Sequence, residues 1–269
     1  MKDWGLDLKI AFIGAGKMGG ALLERLLDAG FVSKTDVLAC DLNENRLNEL
    51  RDKLQIEASR DNRRGAEFGD LVVVAVMPKQ VRGVLEEIRP EISESKVVMS
   101  VAALVSTTSI EEALTKKVAV ARVMPNIPSL TGSGFNLICY GKHMKEEDKD
   151  RMKQVLSAWG EYREVREEDI ETYTVITAMG PTYFLPYIDT LVRFGTDNGL
   201  AGKEAREAAC LTMKGTAETA ISTPIPVDDL KNMIGSQPLK DKEPVLRLML
   251  REALDKALED LRAMRGKLT

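Results

Sequence analysis

Lys9-Ile-Ala-Phe-Ile-Gly-Ala-Gly-Lys-Met-Gly19 is the stretch that decides the fold. Four apolar residues, Ile10–Ile13, run into a turn whose glycines fall at 14, 16 and 19, the G-x-G-x-x-G spacing. Gly14 permits a tight turn out of a strand. Gly16 lets the backbone approach a pyrophosphate with no Cβ in the way. Gly19 lets the next helix pack close, so that its N-terminal N–H groups and positive dipole end face the phosphates. The spacing alone is weak evidence, and a purely structural glycine turn competes with it. Context supports the ligand reading, with a strand before the glycines and the amphipathic run Met18–Leu27 after them. A dinucleotide is therefore the expected ligand.

Outward from this turn, strand and helix signals alternate. A helix is expected over Lys17–Ala29, closed by Gly30. Strand Val37–Cys40, helix Glu44–Leu54, a short strand near Ile56 and a polar helix over Asn62–Phe68 follow. Asp70-Leu-Val-Val-Val-Ala-Val76 is a near-continuous apolar run, as in a central parallel strand covered on both faces. Pro78 opens a helix reaching about Ile88. Strand Val97–Ser100, helix Ile110–Leu114, strand Val118–Arg122, strand Gly134–Tyr140, helix Glu146–Trp159 and strand Glu161–Val165 complete the alternation. This is the pattern of a doubly wound, Rossmann-type α/β sheet. After Glu167 the strand signals stop. Ile170–Asn198, Lys203–Ser222 and Glu243–Lys267 read as long helices with apolar residues at 3–4 spacing. Thr223-Pro-Ile-Pro separates the last two. The expected domains are a dinucleotide-binding domain at 1–166 and an all-helical substrate and dimerisation domain at 167–269.

The chain has 269 residues and a net charge of −4, which argues against a broad nucleic-acid footprint. Cys40, Cys139 and Cys210 are far apart and odd in number, so reduced thiols in a cytoplasmic protein are expected. There is no basic segment followed by an apolar one at the start, and no apolar run near the length of a membrane span. The one histidine, His143, lies in a polar stretch that reads as a surface loop, and no metal site is expected.

Asp41 ends the second strand about 22–25 residues past the glycines. An acid there accepts the adenosine ribose 2′-OH and repels a 2′-phosphate, which favours NAD over NADP. Asn43, Asn45 and Arg46 are the counter-signal, since they could hold a phosphate. The plainer reading of Arg46 is a solvated helix residue.

Four segments together resemble the pyrroline-5-carboxylate reductase family: Phe12-Ile-Gly-Ala-Gly-Lys-Met-Gly19, Ala75-Val-Met-Pro-Lys-Gln80, Ala121-Arg-Val-Met-Pro-Asn-Ile-Pro128, and Gly180-Pro-Thr-Tyr183 followed by Asp197-Asn-Gly-Leu200. The third is the most specific. The resemblance implies a Rossmann domain, a helical domain that interlocks two subunits, and reduction of a cyclic C=N bond with NAD(P)H to give proline. It implies that Gly14, Ala15, Gly16, Lys17, Met18 and Gly19 hold the pyrophosphate and that Asp41 and Asn43 sit near the adenosine ribose. Ala75, Val76, Met77 and Pro78 would line the nicotinamide side. Met124, Pro125 and Asn126 would form the loop between cofactor and substrate, Asn126 on the cofactor's side. Thr177, Met179, Gly180 and Pro181 would begin the substrate-side helix.

The chain also departs from the family pattern. Met77 stands where the family usually has Lys, and Thr177-Ala-Met-Gly-Pro181 replaces S-G-S-G-P. The family's S-P-G-G-T-T, whose backbone N–H groups and hydroxyls grip a carboxylate, is absent. Here the chain reads Gly235-Ser-Gln-Pro-Leu-Lys-Asp-Lys-Glu-Pro244. Ser236 is either a hydroxyl donor to substrate or an N-cap, and Lys240 or Lys242 either supplies charge or is a surface lysine.

Hydride transfer to an already protonated imine needs no strong general acid, so the lack of a catalytic His or Cys is compatible with it. Thr177 and Tyr183 are the candidate catalytic contacts, with Asp189 a further polar candidate. Their plain alternatives are an N-cap, a core aromatic and an internal ion pair. Three functions stay open: a pyrroline-type imine reductase, a reductase of another small substrate lacking that carboxylate, and a non-catalytic dinucleotide-binding regulator. The expected partners are a small-molecule substrate and a second copy of the chain in a homodimer or higher homo-oligomer, with neither nucleic acid nor membrane.

Overall fold

The computed structural model describes residues 8–265. The strands are β1 (Ile10–Ile13), β2 (Val37–Cys40), β3 (Glu57–Ser59), β4 (Leu71–Val74), β5 (Val97–Ser100), β6 (Ala119–Met124), β7 (Gly134–Tyr140) and β8 (Gly160–Glu164). They form one sheet in the order β3-β2-β1-β4-β5-β6-β7-β8. Every pairing is parallel except β6 with β7. Chain order reverses between β1 and β4, which opens a crevice at the carboxyl ends of those strands.

The helices of this part are α1 (Lys17–Asp28), α2 (Glu44–Leu54), α3 (Asn62–Phe68), α4 (Pro78–Ile88), α5 (Thr107–Leu114), α6 (Glu146–Trp159) and α7 (Ile170–Thr177). Alternate strand residues feed two apolar layers. Phe12, Val73 and Met99 pack with Leu22, Leu26, Leu47 and Trp159 on the face covered by α1, α2 and α6. Ile13, Val72, Val74 and Val98 pack with Ala66, Val81, Leu85 and Ile110 on the face covered by α3, α4 and α5. Burial on both faces explains why Leu71–Val74 carries no polar residue. Trp159 is fully buried and donates its indole N–H to the Leu22 carbonyl at 3.1 Å. Gly30 (φ +69°) and Phe31 donate N–H to the carbonyls of Leu27 and Leu26 at 2.9 and 3.0 Å, closing α1 where the sequence places its end.

Four further helices follow: α8 (Gly180–Asp197), α9 (Gly202–Ser222), α10 (Val227–Asn232) and α11 (Glu243–Arg265). The chain forms two compact units, one of Met1–Ala178 with Leu258–Thr269 and one of Met179–Ala257, each within its described residues. Within the second, α8 and α9 meet closely, and a Cβ on Gly195 would stand 2.9 Å from that of Ala205. Among the described residues no helix is long and apolar enough to cross a membrane.

Several details differ from the sequence expectation, among them α5, which begins three residues earlier than expected, and β8, which is shifted back by one. The helix expected over Ile170–Asn198 is two helices, because Pro181 has no N–H to give to the Thr177 carbonyl and its ring would crowd that turn. β6 runs two residues further than expected, to Met124, because antiparallel pairing with β7 holds Val123 opposite Ile138 and Met124 opposite Leu137. Helix α10 has six residues, too few for a periodic signal. The expected end of the last helix at Lys267 lies outside the described residues.

Candidate functional site

The glycine turn is stitched between two strands. Gly14 donates its N–H to the Cys40 carbonyl at 2.8 Å, and Ala75 donates to the Ile13 carbonyl at 2.7 Å. Gly14 has φ +92°, and a Cβ there would stand 2.7 Å from the Ala75 carbonyl. A Cβ on Gly19 would stand 2.1 Å from the Gly14 oxygen, so α1 lies directly against the turn. Gly16 is different. It is the N-cap of α1 with no side-chain cap, and a Cβ built on it meets no atom within 4 Å. The turn is closed on two sides by protein and open at Gly16, where the first N–H groups of a helix look outward.

Two hollows share Gly16 and Asp41. One, of about 230 Å³, is bounded by Gly14, Ala75, Val76 and Met77 and also by Leu42, Asn62, Gln80 and Val84. The other, of about 520 Å³, adds Lys17, Asn43, Arg46 and Glu49. Asp41 stands at their junction. Its Oδ2 accepts the Ala15 N–H at 3.0 Å and its Oδ1 accepts the Asn43 N–H at 2.9 Å. Asn43 caps α2, its Oδ1 accepting from Asn45 and Arg46 N–H. Arg46 is not a solvated helix residue. It donates Nε to the Ala15 carbonyl at 2.9 Å and pairs with Glu49 at 2.9 Å, so the guanidinium braces the turn from below.

The other candidate residues are placed as follows. Ala15 is fully buried and lines neither hollow, its N–H and carbonyl being held by Asp41 and Arg46. The Met18 side chain packs on the core. Met77 is 55% exposed, directly before Pro78, the first residue of α4. Met124 is buried among Leu137, Cys139 and Ile170, and Pro125 is also buried. The Asn126 Oδ1 accepts from the Phe135 N–H, and its Nδ2 donates to the Thr177 carbonyl, each at 3.3 Å. Thr177 ends α7 and donates its hydroxyl to the Tyr173 carbonyl at 3.0 Å, so it is not an N-cap. Met179 holds the N-cap position of α8, ahead of buried Gly180 and half-buried Pro181. Tyr183 is half-buried, and desolvation raises its phenol above the ordinary value. Asp189 pairs with Arg193 at 2.8 Å on an exposed face of α8, so its ion pair is a surface one. His143 lies in a turn between β7 and α6 and is half-exposed.

Ser236 lies seven residues before α11, in an irregular segment, and caps nothing. It helps line an apolar hollow of about 590 Å³ in the second unit, with Leu191, Ile234, Leu239, Lys240 and Leu246. Lys231 also lines it and gives both Glu243 oxygens a hydrogen bond at 2.7 and 2.8 Å. Those bonds, with one from Arg247, hold the Glu243 carboxyl below its ordinary value.

Sequence reading missed Leu42, Asn62 and Val84, while Gln80 closes the Ala75–Gln80 segment that it singled out. The signal was present for two of them. Leu42 follows Asp41 at the end of β2, and Asn62 opens the helix after β3, both at the carboxyl edge where such sheets bind ligands.

The family model described as "NADP oxidoreductase coenzyme F420-dependent" matches residues 9–104, and the one described as "Pyrroline-5-carboxylate reductase dimerisation" matches residues 167–238. A pyrroline-5-carboxylate reductase of Methanosarcina acetivorans is 34% identical over 228 residues, 85% of this chain and 84% of that protein. The chain belongs to the pyrroline-5-carboxylate reductase family. A reductase of that name from Corynebacterium melassecola is 33% identical over 77% of this chain and 78% of its own length. Among solved structures, the Plasmodium falciparum pyrroline carboxylate reductase with NADP bound superposes with a TM-score of 0.85 at 26% identity, covering 96% of this chain and 98% of that one. Against this family's pattern, the Gly235–Leu239 stretch stands out, since it forms bends and turns before a short 3-10 turn (Lys240–Lys242) instead of opening a helix.

Proposed function

We propose that this chain is an NAD(P)H-dependent oxidoreductase that reduces a cyclic imine, pyrroline-5-carboxylate, to proline. The observation that carries the reading is the turn open at Gly16 alone, on a scaffold of this family. A dinucleotide fits it. The missing Cβ leaves room for a diphosphate, and the N–H groups of Gly16, Lys17 and Met18 would hold it. Asp41 and Asn43 would meet the adenosine ribose, and Ala75, Val76, Met77 and Pro78 the nicotinamide half. The bound cofactor supplies a hydride; the chain's own residues bind, orient and exclude water. Thr177 and the neutral hydroxyl of Tyr183 would contact the substrate, with Met179, Gly180 and Pro181 shaping its side. An imine that is already protonated would need no strong acid from the chain.

Asp41 favours NAD(H), since it lines both hollows and the Arg46 guanidinium that lines the larger one is paired with Glu49. Residues 167–269 would form a dimerisation domain, the chain working as a homodimer or higher homo-oligomer in the cytoplasm. Oxidation of NADH and of NADPH, followed by absorbance with pyrroline-5-carboxylate, tests the reading. Tight NADH binding without turnover of either cofactor would refute it. One observation favours a second reading, a reductase of an imine without a carboxylate. The 590 Å³ hollow lined by Ser236 is mostly apolar, and the stretch that lines it lacks the segment with which the family would grip an anion. A panel of carboxylate-free cyclic imines separates the two.

A further inference from the structure

Arg122 is the most deeply buried charge among the described residues, at 1% exposure, and it sits on β6 two residues before the segment assigned to substrate and cofactor. It reaches two carboxylates, Glu167 in the turn before α7 and Glu171 in the first turn of α7. Its two terminal nitrogens stand 2.9 Å from Glu167 Oε1 and 3.3 Å from Glu171 Oε1. Glu167 also accepts the Thr107 hydroxyl at 2.5 Å, and Arg265 pairs with the other oxygen of Glu171 at 2.9 Å. Four residues further on, Asn126 donates to the carbonyl of Thr177, the last residue of α7. That carbonyl has no helical partner, because Pro181 lacks an N–H.

These contacts fit together along one line. Residues 122 and 126 are about 13 Å apart in extended chain, and 171 and 177 about 9 Å apart in a helix. The strand and the loop after it thus hold α7 at both ends, running alongside β6 in the same direction. Asn126 follows the carboxyl end of β6. Since β1, β4, β5 and β6 are mutually parallel, this is the edge that carries the glycine turn and Ala75. Thr177 is therefore pinned at that edge.

We propose that Arg122 and Asn126 are positioning residues for imine reduction, a double latch that sets the register of α7 and so the place of Thr177. This rests on the reductase reading and on Thr177 facing the substrate. Apolar contacts of Ile170 and Tyr173 with the Met124 cluster already hold α7 to the sheet. Adhesion alone needs no buried guanidinium, whose Nε has no partner among the described residues. A buried ion network adds little net stability, and in some proteins it sets geometry instead; here a shift along the helix would leave charges unpaired. Asn126 acts in the same way, with its Oδ1 and one Nδ2 hydrogen committed to the backbone of Phe135 and Thr177.

The test compares Arg122→Met, Arg122→Lys and Asn126→Leu in the full chain. NADH affinity is expected within twofold of wild type in Arg122→Met and Arg122→Lys, as the glycine turn is untouched. For pyrroline-5-carboxylate, kcat is expected to fall about 30-fold or more in Arg122→Met and Asn126→Leu, and to recover to within about fivefold of wild type in Arg122→Lys. Unchanged kcat, or in Arg122→Met a loss shared equally by NADH affinity, would overturn the latch. If Arg122→Met fails to fold, native-state hydrogen exchange on wild type decides the matter. Amides of residues 174–178 should open together with those of β6, and loop-like exchange there would overturn it. If wild type turns over no pyrroline-5-carboxylate, the reductase reading falls, while exchange still judges the latch.

Discussion

Gly16→Ala separates ligand binding from folding at the glycine turn. Gly16 has φ −64° and ψ −159°, a negative-φ conformation at the edge of the β region that alanine can reach, and its Cβ would meet nothing within 4 Å. Loss of glycine at an N-cap costs about 0.5–1 kcal/mol, and the stiffer unfolded chain returns about 0.4–1 kcal/mol, so stability should be nearly unchanged. Gly19→Ala is the control. Its Cβ would stand 2.1 Å from a backbone oxygen and 2.9 Å from the Ala75 Cβ, so α1 must move. Overpacking of this kind costs about 1–3 kcal/mol. That lowers Tm by roughly 2–12 °C in a chain of this size. For binding the contrast reverses. A methyl at Gly16 occupies the space a diphosphate needs and costs at least one N–H bond to a charged oxygen, about 1.5–3 kcal/mol. The dinucleotide Kd should rise about 10- to 150-fold. Thermal melting without ligand, paired with fluorescence titration of NADH, reads both quantities. If Gly16→Ala melted as early as Gly19→Ala, or bound NADH like wild type, the open-turn reasoning would fail.

Asp41→Ser should raise the ratio of kcat/KM for NADPH over NADH about fivefold or more, because it removes a negative charge from the ribose end of the site. An unchanged ratio would locate cofactor choice elsewhere. Burial pushes the Cys40 and Cys139 thiols up to about 12. At pH 8 about one molecule in ten thousand is then the reactive thiolate at each position. Both should resist a thiol reagent until the chain unfolds, and rapid labelling of either in the native protein would contradict their placement.

Most of the first unit was legible because short-range physics writes it. The strand at Ile10–Ile13, the glycines after it and the closing Gly30 are local matters of apolar run, φ angle and cap. Asp41 was legible from its distance to the turn. Arg46 was not. A lone arginine on a polar helix reads as solvated, and only the fold places the Ala15 carbonyl within its reach. The side chains of Met124 and Asn126 stood in a recognisable segment, yet nothing in that segment says they are buried. Their neighbours Ile170, Phe135 and Thr177 come from 9 to 51 residues away.

The amino-acid sequence by itself determined an α/β part ending in helices, the dinucleotide turn and the family, since periodicity, glycine spacing and motif are properties of neighbouring residues. Only the tertiary structure decided the rest. It set the antiparallel turn of β7, the break between α7 and α8, the brace under the glycine turn, and the buried charges that tie α7 to β6. Each depends on a partner far along the chain, and the free energy of a buried charge or an unpaired carbonyl is settled by whatever packing brings against it.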